Sequence, residues 1–265
     1  MNNSSEYHIS KDGSSTLYSN QFGQYYHNPN GAISESKLVF FETSKLTDAL
    51  LSKSDHLGIF EVGFGTGLNF LLLLDYYLTN NISIPIHFYS VEAFPIDQKT
   101  VSKLNFYDFL TNKDLSDVLP NIFKELKPGK NTFQPLHDIE VKIHLYYCSF
   151  DEISSIEHPI DFVFHDAFSP EVNDELWRVS TFEKLALFCN EDAILATYCA
   201  ASKARAAMAK AGWFVRRAPG ALGKREMTIA SLSHIKLTHL KRVNERRLIE
   251  RWNTGEFEKT KSTDD

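Results

Sequence analysis

Three glycines at alternate positions, followed along the chain by carboxylates at the ends of short apolar runs, are the residues here whose spacing suits chemistry. Ile59-Phe60-Glu61-Val62-Gly63-Phe64-Gly65-Thr66-Gly67-Leu68-Asn69 passes from a strand-like run into a helical one through a turn with almost no side chains. A nucleoside-bearing cofactor can press against such a main chain while the N–H groups of the next helix face it. Nicotinamide and flavin loops place their third glycine three positions after the second, where this chain has Leu68, so the spacing points to another ligand. The competing reading is a turn that only packs a helix on a sheet. Further apolar runs end in Val91-Glu92-Ala93-Phe94-Pro95, Cys148-Ser149-Phe150-Asp151 and Phe164-His165-Asp166-Ala167-Phe168-Ser169-Pro170. Glu92 can accept both hydroxyls of a ribose, and either Ser149 or Asp151 can take the exocyclic amine of adenine unless both merely cap a helix. Asp166 suits work on an amine: a carboxylate accepts an N–H, aims the nitrogen lone pair and receives the released proton. Its competing reading is a cap for a helix near Val172. Phe168 would wall off water, and strand alternation turns His165 to the opposite, structural side.

These residues need strands that end on one rim. The pattern predicts strands at Gly58–Val62, Ile86–Glu92, Lys142–Cys148, Asp161–Asp166 and Ala193–Tyr198, alternating with helical segments, which is the signature of a parallel sheet covered on both faces. Trp213–Ala218 and Glu226–Ser231 lie close together across Pro219-Gly220-Ala221-Leu222-Gly223 and are expected to pair antiparallel at one edge. Ligands of open parallel sheets bind at the carboxyl ends of the strands, which is where the polar residues above fall. A helix is expected from about Ser34 to Ser52, and a helical insertion between Lys99 and Asp138. From His234 the pattern predicts an amphipathic tail helix carrying Leu240, Val243 and Leu248 and ending near Trp252, with Glu256 to Asp265 frayed. Phe22, Tyr25 and Tyr26 are costly to leave together in water, so they belong against the main domain or in a substrate pocket. The expected division is a lead-in over residues 1–57, a core over 58–233 with its insertion at about 99–138, and a tail over 234–265.

A length of 265 residues suits one catalytic core with local additions, and the 43% hydrophobic share supplies its interior. No apolar run approaches the roughly 20 residues of a membrane helix, and Met1 to Ser5 lead into no apolar segment, so neither a membrane span nor a secretory signal is expected and the predicted address is cytoplasmic. Cys148, Cys189 and Cys199 are odd in number and form no Cys-x-x-Cys pair, which argues against disulfides and a zinc site and for buried thiols. A net charge of −6 counts against a simple electrostatic binder of nucleic acid. Basic residues nevertheless cluster at Arg216, Arg217, Lys224 and Arg225 and recur in the tail at Lys236, Lys241, Arg242, Arg246, Arg247 and Arg251; such runs are either a binding face or solvated surface.

The acid followed by alternating glycines resembles the first motif of class I S-adenosylmethionine methyltransferases, which implies a Rossmann-like α/β fold: a seven-stranded, mostly parallel sheet with an antiparallel edge pair. That cofactor carries a cationic amino acid which Glu61 would attract. Taken together, Glu61 to Phe70, Glu92-Ala93-Phe94-Pro95, His165 to Pro170 and Gly223-Lys224-Arg225-Glu226-Met227 resemble the methyltransferase domain of the MnmC family. The resemblance begins with Tyr18-Ser19, continues through Asn30-Gly31 and Leu38-Val39-Phe40, and covers about Leu17 to Ser231. It implies methylation, with S-adenosylmethionine, of the aminomethyl group of 5-aminomethyl-2-thiouridine at the tRNA wobble position. By resemblance Asp166 is the catalytic aspartate, Glu61, Gly63, Gly65 and Glu92 are cofactor-binding positions, and Lys224 and Arg225 form a basic loop near the RNA. Gly67, Asn69, Ser149 and Asp151 are further expected on the cofactor side, and Phe168, Pro170 and Arg217 toward the substrate and RNA.

Two departures qualify the match. Ser149 stands where the family has an acid, and Ser34-Glu35-Ser36-Lys37 stands where it more often has paired acids and an arginine. Bifunctional members continue into a flavin oxidase, whereas this sequence stops at Asp265, so the aminomethyl precursor is expected from another wobble-uridine enzyme. Two other readings stay open: a methyltransferase acting on a small amine, which the negative charge favours, and an RNA-binding module without turnover.

Overall fold

Aromatic and β-branched runs in the middle of the chain pair into one sheet because each buries side chains on both faces. The computed structural model describes residues 5–53 and 55–258. A small antiparallel sheet comes first, β1 (Ser5–Ile9), β2 (Ser15–Ser19) and β3 (Gln24–Tyr25). Helix α1 (Ala32–Ser36) runs into a π-helical stretch, Lys37–Thr43, and then α2 (Leu46–Ser52). The main body follows in chain order: β4 (Leu57–Val62), α3 (Leu68–Thr79), β5 (Ile86–Val91), α4 (Gln98–Val101), α5 (Val118–Glu125), β6 (Gly129–Phe133), β7 (Val141–Tyr147) and β8 (Ile160–His165). It closes with α6 (Val179–Phe188), β9 (Cys189–Thr197), α7 (Ser202–Lys210), β10 (Phe214–Pro219), β11 (Glu226–Ser231), β12 (Lys241–Arg242) and α8 (Glu245–Asn253).

The main sheet has nine strands in the order β12-β10-β11-β9-β8-β4-β5-β7-β6. Strands β9, β8, β4, β5 and β7 run parallel; β11 is antiparallel to β9, and β10, antiparallel to β11, runs again in the direction of the parallel strands. The seven expected strands are all present, and two short ones extend the edges. β6 arises inside the segment expected to be a helical insertion and pairs antiparallel with β7. β12 arises from the tail and covers β10, so β10 is not the edge. Neither Gly-Lys-Asn-Thr-Phe nor Lys-Arg carries an alternating apolar pattern, because each is largely exposed. An unpaired neighbouring strand supplied their hydrogen-bond partners.

Two apolar layers clothe the sheet. One joins α3, the α1–α2 run and the insertion through residues such as Phe40, Phe70, Phe88, Leu119 and Phe164; the other joins α6, α7 and α8 through Phe60, Trp177, Phe182, Trp213 and Leu248. Helix α3 is apolar on nearly every side because it lies between the sheet and the surrounding α1 and insertion segments. The expected helix over residues 34–52 is interrupted at Ser44 and Lys45, where Lys45 adopts a left-handed φ of 68°. The tail helix begins at Glu245, with the Asn244 side chain accepting from Arg247 N–H; Leu240 and Val243 precede it, and Leu248 packs inward. Of the stretch expected to fray from Glu256, residues 256–258 are held instead in a turn, Glu256 N–H donating to Arg251 O at 3.1 Å and Glu258 N–H to Gly255 O at 3.2 Å, and the rest lies outside the described residues. Cys199 is a buried free thiol, while Cys148 and Cys189 are only partly buried. No helix among the described residues is long and apolar enough to cross a membrane.

Candidate active site

The carboxyl ends of β4, β5, β7, β8 and β9 open into a cavity of about 480 Å³ roofed by the N-terminal segment. At its floor β4 turns through Gly63, whose φ is +91°; a Cβ there would lie 3.1 Å from the carbonyl oxygen of Asp166. The ends of β4 and β8 approach closely enough at this point to require a residue without a side chain. The N–H of Gly65 donates to Glu92 Oε2 at 2.9 Å and that of Phe94 to Glu92 Oε1 at 2.8 Å. Burial raises the proton affinity of Glu92, and these N–H groups oppose the rise. Each carboxylate oxygen keeps a second lone pair for a ligand in the cavity. Gly67 behaves differently: it starts α3 with φ +78°, and a Cβ would meet Leu119 Cδ2 at 2.5 Å, away from the cavity lining. Its glycine is needed for packing.

Beneath the turn, Asn69 Nδ2 donates to Glu61 Oε1 and to Asp166 Oδ2, both at 2.9 Å. Ser90 Oγ donates to Glu61 Oε2 at 2.9 Å. Glu61 is buried and does not line the cavity; strand alternation turns it under the start of α3, so Asn69 stands between it and any ligand. Burial pushes Glu61 well above the usual carboxylate range, and the neighbouring charge of Asp166 pushes it further. Asp166 is raised too, by burial first and then by Glu35, with Asn69 and Lys224 pulling the other way. No helix cap engages the Asp166 carboxylate, which lines the cavity.

The elevation of Glu61 gives a test. The folded protein holds a proton there that the unfolded chain, titrating near 4.5, has released. That contribution to stability is full below pH 4.5 and is lost as pH rises. Glu61→Gln, which keeps the hydrogen-bonding shape, is therefore expected to melt above the parent at alkaline pH, the gain fading toward pH 4.5. Thermal melts across that range check it; a shift independent of pH would mean that burial of the charge is not the cause.

Aromatic rings form the outer wall. Phe168 stacks on Phe22 at 4.6 Å and meets Tyr26 edge-on at 5.1 Å, while Gln24 Nε2 donates to Ser169 Oγ at 2.6 Å. Phe22 and Tyr26, expected to need cover, thus line the cavity, while Tyr25 reaches its lining but stays 36% exposed, packed edge-on against His8 and Tyr18. His165 lies on the far side of the strand, as alternation requires. Its Nε2–H donates to Leu176 O at 2.8 Å, and burial lowers its proton affinity to about 4.

A shallower concavity adjoins the first and shares Ser169, Tyr198 and Lys224 with it; Pro170, Arg217 and Arg225 lie there. Lys224 is carried by the turn after β10 and reaches inward, donating to Glu35 Oε1 at 2.7 Å with its ammonium 4.7 Å from the centre of the Tyr198 ring. Arg217 pairs with Glu226 at 3.3 Å, and Arg225 is exposed. Arg216 is buried against Glu245 and belongs to the packing of α8.

Gly63, Gly65, Asn69, Glu92, Ser149, Asp166, Phe168 and Lys224 therefore meet in one cavity. Glu61 and Gly67 support it from behind, and Asp151 is exposed outside it. Ser149 both lines the cavity and caps the following turn: its Oγ donates to Glu152 Oε1 at 2.8 Å. Of the two candidates for adenine, only Ser149 lines the cavity. Glu35 and Tyr198 were missed. Tyr198 follows β9 at the same rim as the other polar residues, which was signal enough; Glu35 stood in the Ser34-Glu35-Ser36-Lys37 stretch that departs from the family's pattern, but nothing local showed that it enters the cavity.

An S-adenosylmethionine molecule suits this donor set. The lining carries four carboxyl groups, Glu35, Glu92, Asp166 and Glu175, against the single ammonium of Lys224 among the described residues, and so favours a cationic guest. Asn69 Oδ1, buried and without a partner, adds a spare acceptor beside the cavity. Residues 113–233 match a family model described as S-adenosyl-L-methionine-dependent methyltransferase. A crystal structure of MnmC2 from Aquifex aeolicus superimposes with a TM-score of 0.70 at 22% identity, over 94% of this chain and 75% of that one. The chain has the class I S-adenosyl-L-methionine-dependent methyltransferase fold. A protein of Leptospira interrogans named tRNA 5-methylaminomethyl-2-thiouridine biosynthesis bifunctional protein MnmC is 32% identical over 224 residues, and its namesake in Cupriavidus metallidurans is 30% identical over 230. These alignments cover 82% and 86% of this chain, which itself spans 34% of the length of each relative. Within its class, the chain belongs to the MnmC-type methyltransferase domains.

Proposed function

We propose that this protein methylates the aminomethyl group of 5-aminomethyl-2-thiouridine at the wobble position of tRNA. The observation that carries the reading is the meeting of Asp166 with the glycine turn and Glu92 in one cavity, together with the names of the relatives. Gly63 and Gly65 bring main chain against the cofactor, Glu92 accepts its ribose hydroxyls, Ser149 faces its adenine, and Asn69, backed by Glu61, faces its amino acid end. The bound cofactor supplies an electrophilic methyl group on a sulfonium. Asp166 accepts an N–H of the incoming ammonium, takes that proton and points the freed lone pair at that methyl; the carbon–nitrogen bond forms as the carbon–sulfur bond breaks, leaving S-adenosylhomocysteine and a secondary ammonium. Its raised proton affinity makes it a better acceptor than an exposed aspartate. Phe168 and Phe22 exclude water that would otherwise solvate the amine. Residues 58–233 are the catalytic core in this reading, 1–57 the substrate side and 234–265 an appended tail. The address is cytoplasmic, and another wobble-uridine enzyme supplies the aminomethyl group.

The test incubates the protein with labelled S-adenosylmethionine and tRNA from cells lacking the wobble methyltransferase, then digests the RNA to nucleosides. Appearance of labelled 5-methylaminomethyl-2-thiouridine is expected; its absence defeats the RNA substrate. The net charge of −6 favours a second reading, a small amine as substrate. Salt separates the two, because each phosphate contact steepens the fall of affinity with salt. Replacing Arg217 and Arg225 together with alanine is expected to lower the magnitude of the log–log salt slope for tRNA binding by about 2, leaving cofactor affinity unchanged. A slope identical to the parent's would remove them from the RNA face.

A further inference from the structure

One ion pair in the cavity is built from elements far apart in sequence. Glu35 belongs to α1 and Lys224 to the turn after β10, 189 residues on, yet Lys224 Nζ donates to Glu35 Oε1 at 2.7 Å. Glu35 is 8% exposed, and the same oxygen also accepts from Asn28 Nδ2 at 3.0 Å, so the carboxylate is fixed in place. The Lys224 side chain keeps 39% of its exposure. The pair thus joins a rigid buried acid to a long, half-exposed cation whose ammonium rests on Tyr198 at 4.7 Å. Lys224 and Tyr198 line both concavities, whereas Glu35 and Asp166 line only the deep one. The ammonium therefore lies at the border between the outer concavity and the cavity that holds Asp166.

We infer that Lys224 holds the place of the substrate's own ammonium at Glu35, and that an incoming aminomethyl group displaces it. This rests on the amine substrate proposed above and names the residue that selects it. A primary aminomethyl group is largely cationic in neutral water, so it enters charged. Exchange at Glu35 keeps that buried carboxylate paired throughout, avoiding the cost of an isolated internal charge. No covalent bond changes in the exchange: the substrate ammonium takes the hydrogen bond that Lys224 gives up, and Lys224 turns to the outer concavity, where a phosphate can meet it. Glu35 is then the residue that distinguishes an aminomethyl from a neutral substituent, and Asp166, in the same cavity, receives the proton before methylation. A neutral hydroxymethyl group cannot replace a cation at Glu35 and leaves Lys224 where it is.

The experiment measures equilibrium binding of 5-aminomethyluridine and its neutral isostere 5-hydroxymethyluridine to the full chain, with S-adenosylhomocysteine bound. The parent is expected to prefer the amine by about tenfold, the worth of one hydrogen bond between charged groups. Glu35→Gln is expected to bring the two ligands within about twofold of each other. Lys224→Met, which removes the competitor and leaves Glu35 free, is expected to tighten the amine several-fold without changing the hydroxymethyl compound. Thermal melts and S-adenosylhomocysteine affinity establish that both variants are folded. A Glu35→Gln protein that still prefers the amine, a Lys224→Met protein that binds it more weakly, or a parent without preference overturns the exchange, whatever the result with tRNA. Lack of labelled nucleoside in the tRNA assay overturns the RNA reading instead.

Discussion

Asp166→Asn lowers kcat by about 10²- to 10⁴-fold, the usual contribution of a positioned acid–base group, while the dissociation constant for S-adenosylmethionine changes by less than about threefold. Asparagine fills the same space, and its side-chain oxygen still accepts from Asn69 Nδ2, so the wall of the cavity stays in place. What disappears is the acceptor for the amine proton. Removing a carboxylate whose ionisation burial disfavours also relaxes Glu61, which feels its charge. The variant should melt above the parent at neutral pH while turning over far more slowly, a trade of activity for stability. Single-turnover kinetics with saturating cofactor, alongside equilibrium binding, separates the two effects. Parental turnover in the variant would leave Asp166 with no role beyond holding Asn69.

Trp177→Ala removes about 3–5 kcal/mol of folding stability and loosens the aromatic wall with it. Trp177 is fully buried; its ring centre lies 4.3 Å from that of His165, and its Nε1–H donates to the carbonyl of Phe168 at 2.7 Å. Truncation opens a cavity between β8 and α6 and leaves that carbonyl without its donor. Phe168 stacks on Phe22 and Tyr198 donates to the neighbouring Ala167 carbonyl at 2.8 Å, so disorder at Trp177 spreads to the rim. Trp177→Phe keeps most of the volume and loses the N–H, with an expected cost of about 1–3 kcal/mol. Chemical denaturation reads both. An alanine variant with the parent's midpoint would show that the site relaxes without a void.

The parallel strands were legible because each is a dense apolar run with a polar residue just beyond its carboxyl end, and their predicted bounds differ from those observed mostly by a residue or two. β9 is the exception: it starts at Cys189, earlier than expected, because its first residues pair outside the apolar stretch. β6 and β12 were illegible, since a short exposed edge strand owes its existence to a neighbour's free backbone groups. Glu61 was recognised as an acid before a glycine turn, yet its side chain runs beneath α3 to Asn69 and Ser90. The motif fixes the residue's position on the strand, but the helix packed above decides whether it touches solvent or protein.

Local spacing alone therefore determined the glycine turn, the rim of strand-end carboxylates and the alternation that puts His165 behind Asp166, because these depend on backbone geometry over a few residues. Only the tertiary structure decided that Asn69 ties Glu61 to Asp166, that Asp151 stays outside, and that Lys224 meets Glu35 across 189 residues. Those pairings depend on which surfaces share a cavity with little water, and a linear sequence carries no record of that distance or of the burial that shifts the acids.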